Sequence, residues 1–118
     1  GFAVVIEESV LHSCITDPEA MIGQLGHLLT VSVLPNVNFG IIPMDRPRRR
    51  WPVEGFWMFD ERRVDVELVS GWLSVSQPQE VAMYRQAFME LSALAVRGST
   101  ARSLIAKAIK VHDEGTNI

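Results

Sequence analysis

Three stretches near the start decide the fold: FAVVI at residues 2–6, DPEAMIGQLGHLL at 17–29 and VNFGI at 37–41. The first is a continuous apolar run rich in β-branched residues, which reads as a strand buried on both faces. In the second, Asp17 is placed to cap a helix, and Pro18 suits the first helical position because its missing N–H costs nothing there. Met21, Leu25, Leu28 and Leu29 then fall on one helical face. Pro35-Asn36 ends that helix. In the third, Val37, Phe39 and Ile41 alternate with Asn38 and Gly40, giving a strand that stops at Pro43. Strand, helix, strand over this length predicts a right-handed βαβ unit with two parallel strands.

Downstream the pattern changes. Residues 44–54 form a polar, proline-punctuated loop holding Arg46, Arg48, Arg49 and Arg50 next to Trp51. Three strands follow, at 55–60, 64–69 and 72–75, joined by the turns Glu61-Arg62-Arg63 and Ser70-Gly71. In the middle strand Val64, Val66 and Leu68 point one way and Asp65 and Glu67 the other, so one sheet face meets solvent or something polar. Ser76 with Gln79 fits a capping box, and Pro78 fits the first turn. Val81, Tyr84, Phe88, Leu91 and Ala95 recur at spacings of three and four. Gly98 is expected to close that helix and Ser99 to cap the next, whose apolar face is Ala101, Leu104, Ile105, Ala108 and Ile109. The tail from His112 onward is polar and is expected to fray. The fold expected is mixed α/β (α+β): one βαβ unit, an antiparallel three-strand meander, and two C-terminal helices packed on the sheet.

The chain has 118 residues, 47% of them hydrophobic and 21% charged, enough for one core without metal or disulfide staples. We expect one domain over residues 1–118, cut from a longer protein. Cys14 is the single cysteine, so no internal disulfide forms. A lone thiol suits a reducing cytoplasm. The net charge of -3 and the pI near 5.6 argue against nucleic acid as the partner of this domain, since phosphate neutralisation needs surplus Lys and Arg. No apolar run reaches a membrane-spanning length, and Glu7 and Glu8 interrupt the opening apolar stretch too early for a signal peptide.

Chemistry-bearing groups are sparse. His12, His27 and His112 lack second ligands at metal-binding spacing, so no metal site is expected. Cys14 lies three residues before Asp17, but no adjacent base marks it as a nucleophile. There is no Gly-rich phosphate loop: Gly23 and Gly26 lie inside a helix. Glu8, Asp65 and Glu67 are the carboxylates that an acid/base pair would draw on, and Glu8 ends the first strand, where binding residues of α/β sheets gather. The solvated-face reading of Asp65 and Glu67, and a structural role for Glu8 such as capping a turn, stand beside that one. The arginine loop offers a grip for an acidic partner, a nucleotide phosphate or DNA backbone, the acidic domain suiting the first better than DNA, with Trp51 able to stack on a base or pack over the sheet; a solvated loop without function stands beside these readings. Trp57 and Trp72 are either core or interface, at least one of them core.

The ordered series Glu8 and Leu11, Gln24-Leu25, Val37, Pro43, Gly55-Phe56, Glu67, Tyr84, Phe88, Leu91, Ala95 and Ser99 resembles the C-terminal domain, of unknown function, of a large family of actinobacterial transcriptional regulators. These are antitoxin-like proteins with an N-terminal helix-turn-helix domain, often encoded beside a small partner protein. The chain departs from the pattern at 12–16, which lacks an expected arginine and glycine, in the arginine-rich loop, and at the bulky Trp57. The resemblance implies that DNA contact belongs to an absent N-terminal domain, and that this domain binds a partner protein, dimerises or senses a ligand. The sparse chemistry of the residues themselves leads us to expect no cofactor and no enzyme activity. The residues to watch are Glu8, Gln24, Glu67, Arg46, Arg48, Arg49, Arg50 and Trp51. Two competing expectations are a small-molecule sensor, with its pocket between the sheet and the helix at 81–95 lined by Glu8, Gln24 and Glu67, and a small hydrolase-type enzyme pairing Glu8 with Glu67.

Overall fold

A computed structural model describes residues 2–13, 17–47, 55–60 and 62–116. The elements in chain order are β1 (Phe2–Glu7), α1 (Glu8–His12), α2 (Pro18–Ser32), β2 (Val37–Ile42), β3 (Phe56–Phe59), β4 (Arg63–Leu68), β5 (Gly71–Val75), α3 (Pro78–Leu94) and α4 (Gly98–Thr116). They gather into two compact units. One combines Gly1–Arg46 with Leu94–Ile118, and the other is Pro47–Ala93. The mixed α+β class and the order βαβ, meander, two helices are those the sequence predicts.

In the first unit β1 and β2 pair in parallel, from Phe2 opposite Val37 to Glu7 opposite Ile42. Asp17 caps α2, its carboxylate accepting the Ala20 N–H at 2.9 Å. Leu25 of α2, Phe39 and Ile41 of β2, and Ala101, Ile105 and Ala108 of α4 close a core with Leu11, and Leu28, Leu29, Leu104 and Ile109 pack against it. Each large side chain buried there contributes roughly 1.5–3 kcal/mol. The two small residues on α4, Ala101 and Ala108, bring its backbone close to the sheet and leave the volume to Ile105.

Between α3 and α4 the chain differs from expectation. Helix α3 ends at Leu94, and Gly98 does not close it. Instead Val96 lies antiparallel beside Ile41, with Val96 N–H donating to the Ile41 carbonyl at 2.8 Å and Ile41 N–H to the Val96 carbonyl at 3.0 Å. Gly98, at φ +61°, then turns the chain into α4. A left-handed residue between a strand-like step and a helix favours glycine, because a Cβ there is strained. Gly40 serves a different need. A Cβ on it would come within 2.9 Å of the Ala95 Cβ, so the returning chain passes too close for any side chain.

Two further corrections concern the ends of α1 and α4. Glu8 does not finish the first strand. It begins the one-turn helix α1, which also contains His12. One helical turn places Glu8 and Leu11 on the same side, and both are buried. The tail does not fray at His112 either: α4 continues to Thr116. His112 follows Ala101, Ile105 and Ala108 at helical spacing and is buried with them.

In the second unit β3, β4 and β5 form an antiparallel meander, with Phe56 opposite Val66 and Val66 opposite Leu73. Asp60 adopts φ 50° at the β3–β4 turn, a left-handed position that Asp tolerates better than most residues. Val64, Val66 and Val75 meet Val81 of α3 in a second core, with Phe56, Met58 and Tyr84 packed against it. The Phe56 and Tyr84 rings meet edge to face, centroids 5.0 Å apart. Leu68, expected on the inner face, is exposed at the end of its strand. Helix α3 starts one residue later than a Ser76 cap requires, the Gln77 carbonyl accepting the Val81 N–H at 2.9 Å. The two C-terminal helices thus serve different sheets: α3 covers the meander, and α4 packs with α2 in the core of the parallel pair.

Because Ile105 is fully buried, Ile105→Ala should cost about 2–5 kcal/mol. Val111→Ala, on the exposed side of the same helix, should cost less than about 0.5 kcal/mol. Urea unfolding followed by far-ultraviolet circular dichroism measures both; equal losses would contradict the assigned α4 face.

Candidate functional site

Helix α1 is too short to hold itself in place, and two buried side chains anchor it. Glu8 is only 7% exposed. Its Oε1 accepts the Met44 backbone N–H at 2.9 Å, and its Oε2 lies 3.8 Å from Nε2 of His12. That His12 nitrogen is buried and makes no hydrogen bond among the described residues. From the other side, Nε2 of His112 sits 2.9 Å from the Leu11 carbonyl. A carbonyl only accepts, so this nitrogen carries the proton and donates. Glu8 therefore fixes the root of the arginine loop, two residues before Arg46, and His112 fixes α1 to α4. This is the turn-capping role weighed for Glu8, although the turn it caps follows β2.

Of the other anticipated residues, Arg46, Gln24 and Glu67 are among the described ones. Arg46 is exposed at the end of a turn whose N–H to Pro43 carbonyl distance is 3.5 Å. Arg48, Arg49, Arg50 and Trp51, like Cys14, lie outside the described residues. Gln24 is exposed on α2. Glu67 is exposed on β4 and so belongs to the other compact unit from Glu8. Among the described residues no three His, Cys, Asp or Glu side chains are grouped so that they could hold a metal ion.

The feature underestimated from sequence is the outer face of the meander. The valines of β4 point inward, so Arg63, Asp65 and Glu67 point outward. Register then carries Trp57 and Phe59 of β3, and Trp72 and Ser74 of β5, to the same face: Trp57 lies opposite Asp65, Phe59 opposite Arg63, Ser74 opposite Asp65 and Trp72 opposite Glu67. Neither tryptophan is core. Trp57 is 62% exposed, Trp72 58% and Phe59 43%.

Polar contacts organise this face. The Arg63 guanidinium lies over the Phe59 ring, 4.5 Å from its centroid, with its Nε 3.3 Å from Asp65 Oδ1. The Ser74 hydroxyl donates to the same Asp65 oxygen at 2.8 Å. Glu67 has no ion-pair partner among the described residues, and its Oε2 leans over Gly55, at 3.1 Å from where a Cβ would stand. Exposed pairs of this kind add little to stability, at most about 1 kcal/mol. What they do is hold a guanidinium and a carboxylate at set places among exposed aromatic rings.

The structure thus defines an α+β protein whose described residues contain no metal cluster, and no described helix long and apolar enough to cross a membrane. A family model described as "Domain of unknown function (DUF5753)" matches residues 1–107, and the chain belongs to that family. No curated protein and no solved structure gives a significant match.

Glu8→Ala should destabilise the first unit by about 1–3 kcal/mol, because it orphans the Met44 N–H. Glu8→Gln, which keeps an acceptor oxygen, should recover most of that loss. Amide hydrogen exchange at Met44 reads the anchor directly; equal protection in wild type and Glu8→Ala would exclude it.

Proposed function

We propose that this domain is the C-terminal regulatory part of an actinobacterial, antitoxin-like helix-turn-helix transcriptional regulator. On this reading it works in the cytoplasm as an interaction module, binding a partner protein or a second copy while a separate N-terminal domain contacts DNA. One observation carries the reading: Trp57, Phe59 and Trp72 stand exposed on a single face of a rigid antiparallel sheet, beside Arg63, Asp65 and Glu67. A sheet face with two exposed tryptophans has an unsatisfied hydrophobic side, and Trp and Arg are the residues that dominate protein–protein hot spots. The family resemblance and the acidic charge support the regulator context.

The same geometry favours partner binding over the alternatives. A sensor lined by Glu8, Gln24 and Glu67 needs three converging polar groups. Here Glu8 holds a backbone amide, Gln24 is exposed on α2, and Glu67 belongs to a different unit. The space between the meander and α3 is filled by Val64, Val66, Val75, Val81, Phe56, Met58 and Tyr84. An acid/base pair of Glu8 with Glu67 draws on side chains with unlike settings, one buried and hydrogen-bonded, the other in solvent.

Sedimentation equilibrium of the chain, alone and with the small protein encoded beside regulators of this kind, tests the proposal. We expect association with one or the other. Trp57→Ala and Trp72→Ala should each weaken it by roughly 30-fold or more, at about 2 kcal/mol or more per hot-spot tryptophan, with an unchanged circular dichroism spectrum. A strict monomer with no affinity for that protein, or binding indifferent to both substitutions, would overturn it.

A further inference from the structure

We infer that the outer face of the meander is self-complementary and receives a second copy of this chain, stacked face to face about a two-fold axis that runs along the Trp57–Asp65–Ser74 row. This deepens the proposed function by naming the occupant, and it rests on that reading of the face as an interface.

On the outer face the side chains form three cross-strand rows, roughly 6.7 Å apart along the strands. The first row is Phe59 and Arg63, the second Trp57, Asp65 and Ser74, and the third Gly55, Glu67 and Trp72. Gly55 joins the third row because its carbonyl accepts the Glu67 N–H at 2.9 Å. A two-fold axis along the middle row, in the plane between two stacked sheets, maps the first row of one copy onto the third row of the other. Packed sheets stand about 10 Å apart, a gap that opposing side chains fill.

Two features match under this operation. In charge, Arg63 comes over the partner's Glu67, and Glu67 over the partner's Arg63. Both charged ends already lean toward the β3 side, Arg63 over Phe59 and Glu67 over Gly55, and those two sites are the ones the axis superposes. In apolar surface, Trp57 lies on the axis row and meets its own symmetry mate, which removes exposed aromatic area from water. Asp65 also falls on this row. It meets its mate already paired with Arg63 and bonded by Ser74, so the like charges are largely compensated. The alternative axis, parallel to the strands, sets Arg63 against the partner's Arg63 and Glu67 against the partner's Glu67, which the charges disfavour. An isologous contact closes on itself, so the product is a dimer rather than a filament.

Charge reversal tests the operator. By sedimentation velocity over a concentration series, the wild-type chain should show a reversible monomer–dimer equilibrium. Arg63→Glu alone sets two carboxylates together at both symmetric contacts, and Glu67→Arg alone sets two guanidinium groups together; each should weaken the dimer by roughly tenfold or more. Mixing the two single variants restores opposite charges at both contacts and should give a heterodimer. The double variant, Arg63→Glu with Glu67→Arg, restores opposite charges at both contacts but takes Arg63 from Asp65; it should recover the homodimer in part, and fully once Asp65→Asn is added, and it decides the matter if a single variant fails to fold. A wild-type dimer indifferent to reversal, or losses that neither the mixture nor the double variant rescues, overturns the inference. A wild-type monomer that still binds the neighbouring protein through Trp57 and Trp72 overturns it too, while leaving the proposed function standing. A monomer that binds nothing defeats both.

Discussion

The reciprocal hydrogen bonds between Ile41 and Val96 are the constraint on which the first unit depends. Two parallel strands cannot stand alone, since their pairing is slightly weaker than an antiparallel ladder and both faces need cover. α2 supplies part of that cover from within the βαβ unit. The rest comes from α4, separated in sequence by the whole second unit. Val96 stitches the returning chain to the β2 edge, Gly40 leaves room for it, and Gly98 redirects it into α4. Leu11, Ile41 and Ile105 then close a core drawn from both ends of the chain.

That arrangement also explains the two buried anchors. A single helical turn such as α1 gains little from its own hydrogen bonds, so it persists where tertiary contacts define it. Glu8 secures it to the backbone after β2, and His112 secures it to the last turns of α4. Both groups carry chemistry that a catalytic site also uses. Here each is committed to a backbone partner, which is how a buried polar group normally meets its hydrogen-bonding requirement.

Much of this architecture was legible in the residues. The run FAVVI, the Asp17-Pro18 start and the alternation of VNFGI carry local signals, and β1, α2 and β2 follow them. The meander follows β4, whose RVDVEL alternates cleanly. The missed features lack such signals. α1 is one turn long and has no period to detect, although Leu11 three residues after Glu8 was a hint. His112 was discounted as tail, yet Ala101, Ile105, Ala108 and His112 continue one helical spacing. The Val96 bridge is a single-residue, long-range pairing with no local pattern. The outer face was hidden for another reason. The FWMF of β3 is apolar at every position, so its own sequence does not say which side faces the core; only register against β4 assigns Trp57 and Phe59 outward.

We propose that the domain meets its partner through this outer face rather than through a pocket. Hydroxyl-radical footprinting read by mass spectrometry separates the two, comparing the dilute chain with the chain at high concentration or with a candidate partner protein added. Oxidation of Trp57, Phe59 and Trp72 should fall on association, while Met83 and Met89, exposed on α3, react unchanged. Association that leaves the three aromatics as reactive as before, and protects the methionines instead, would contradict it.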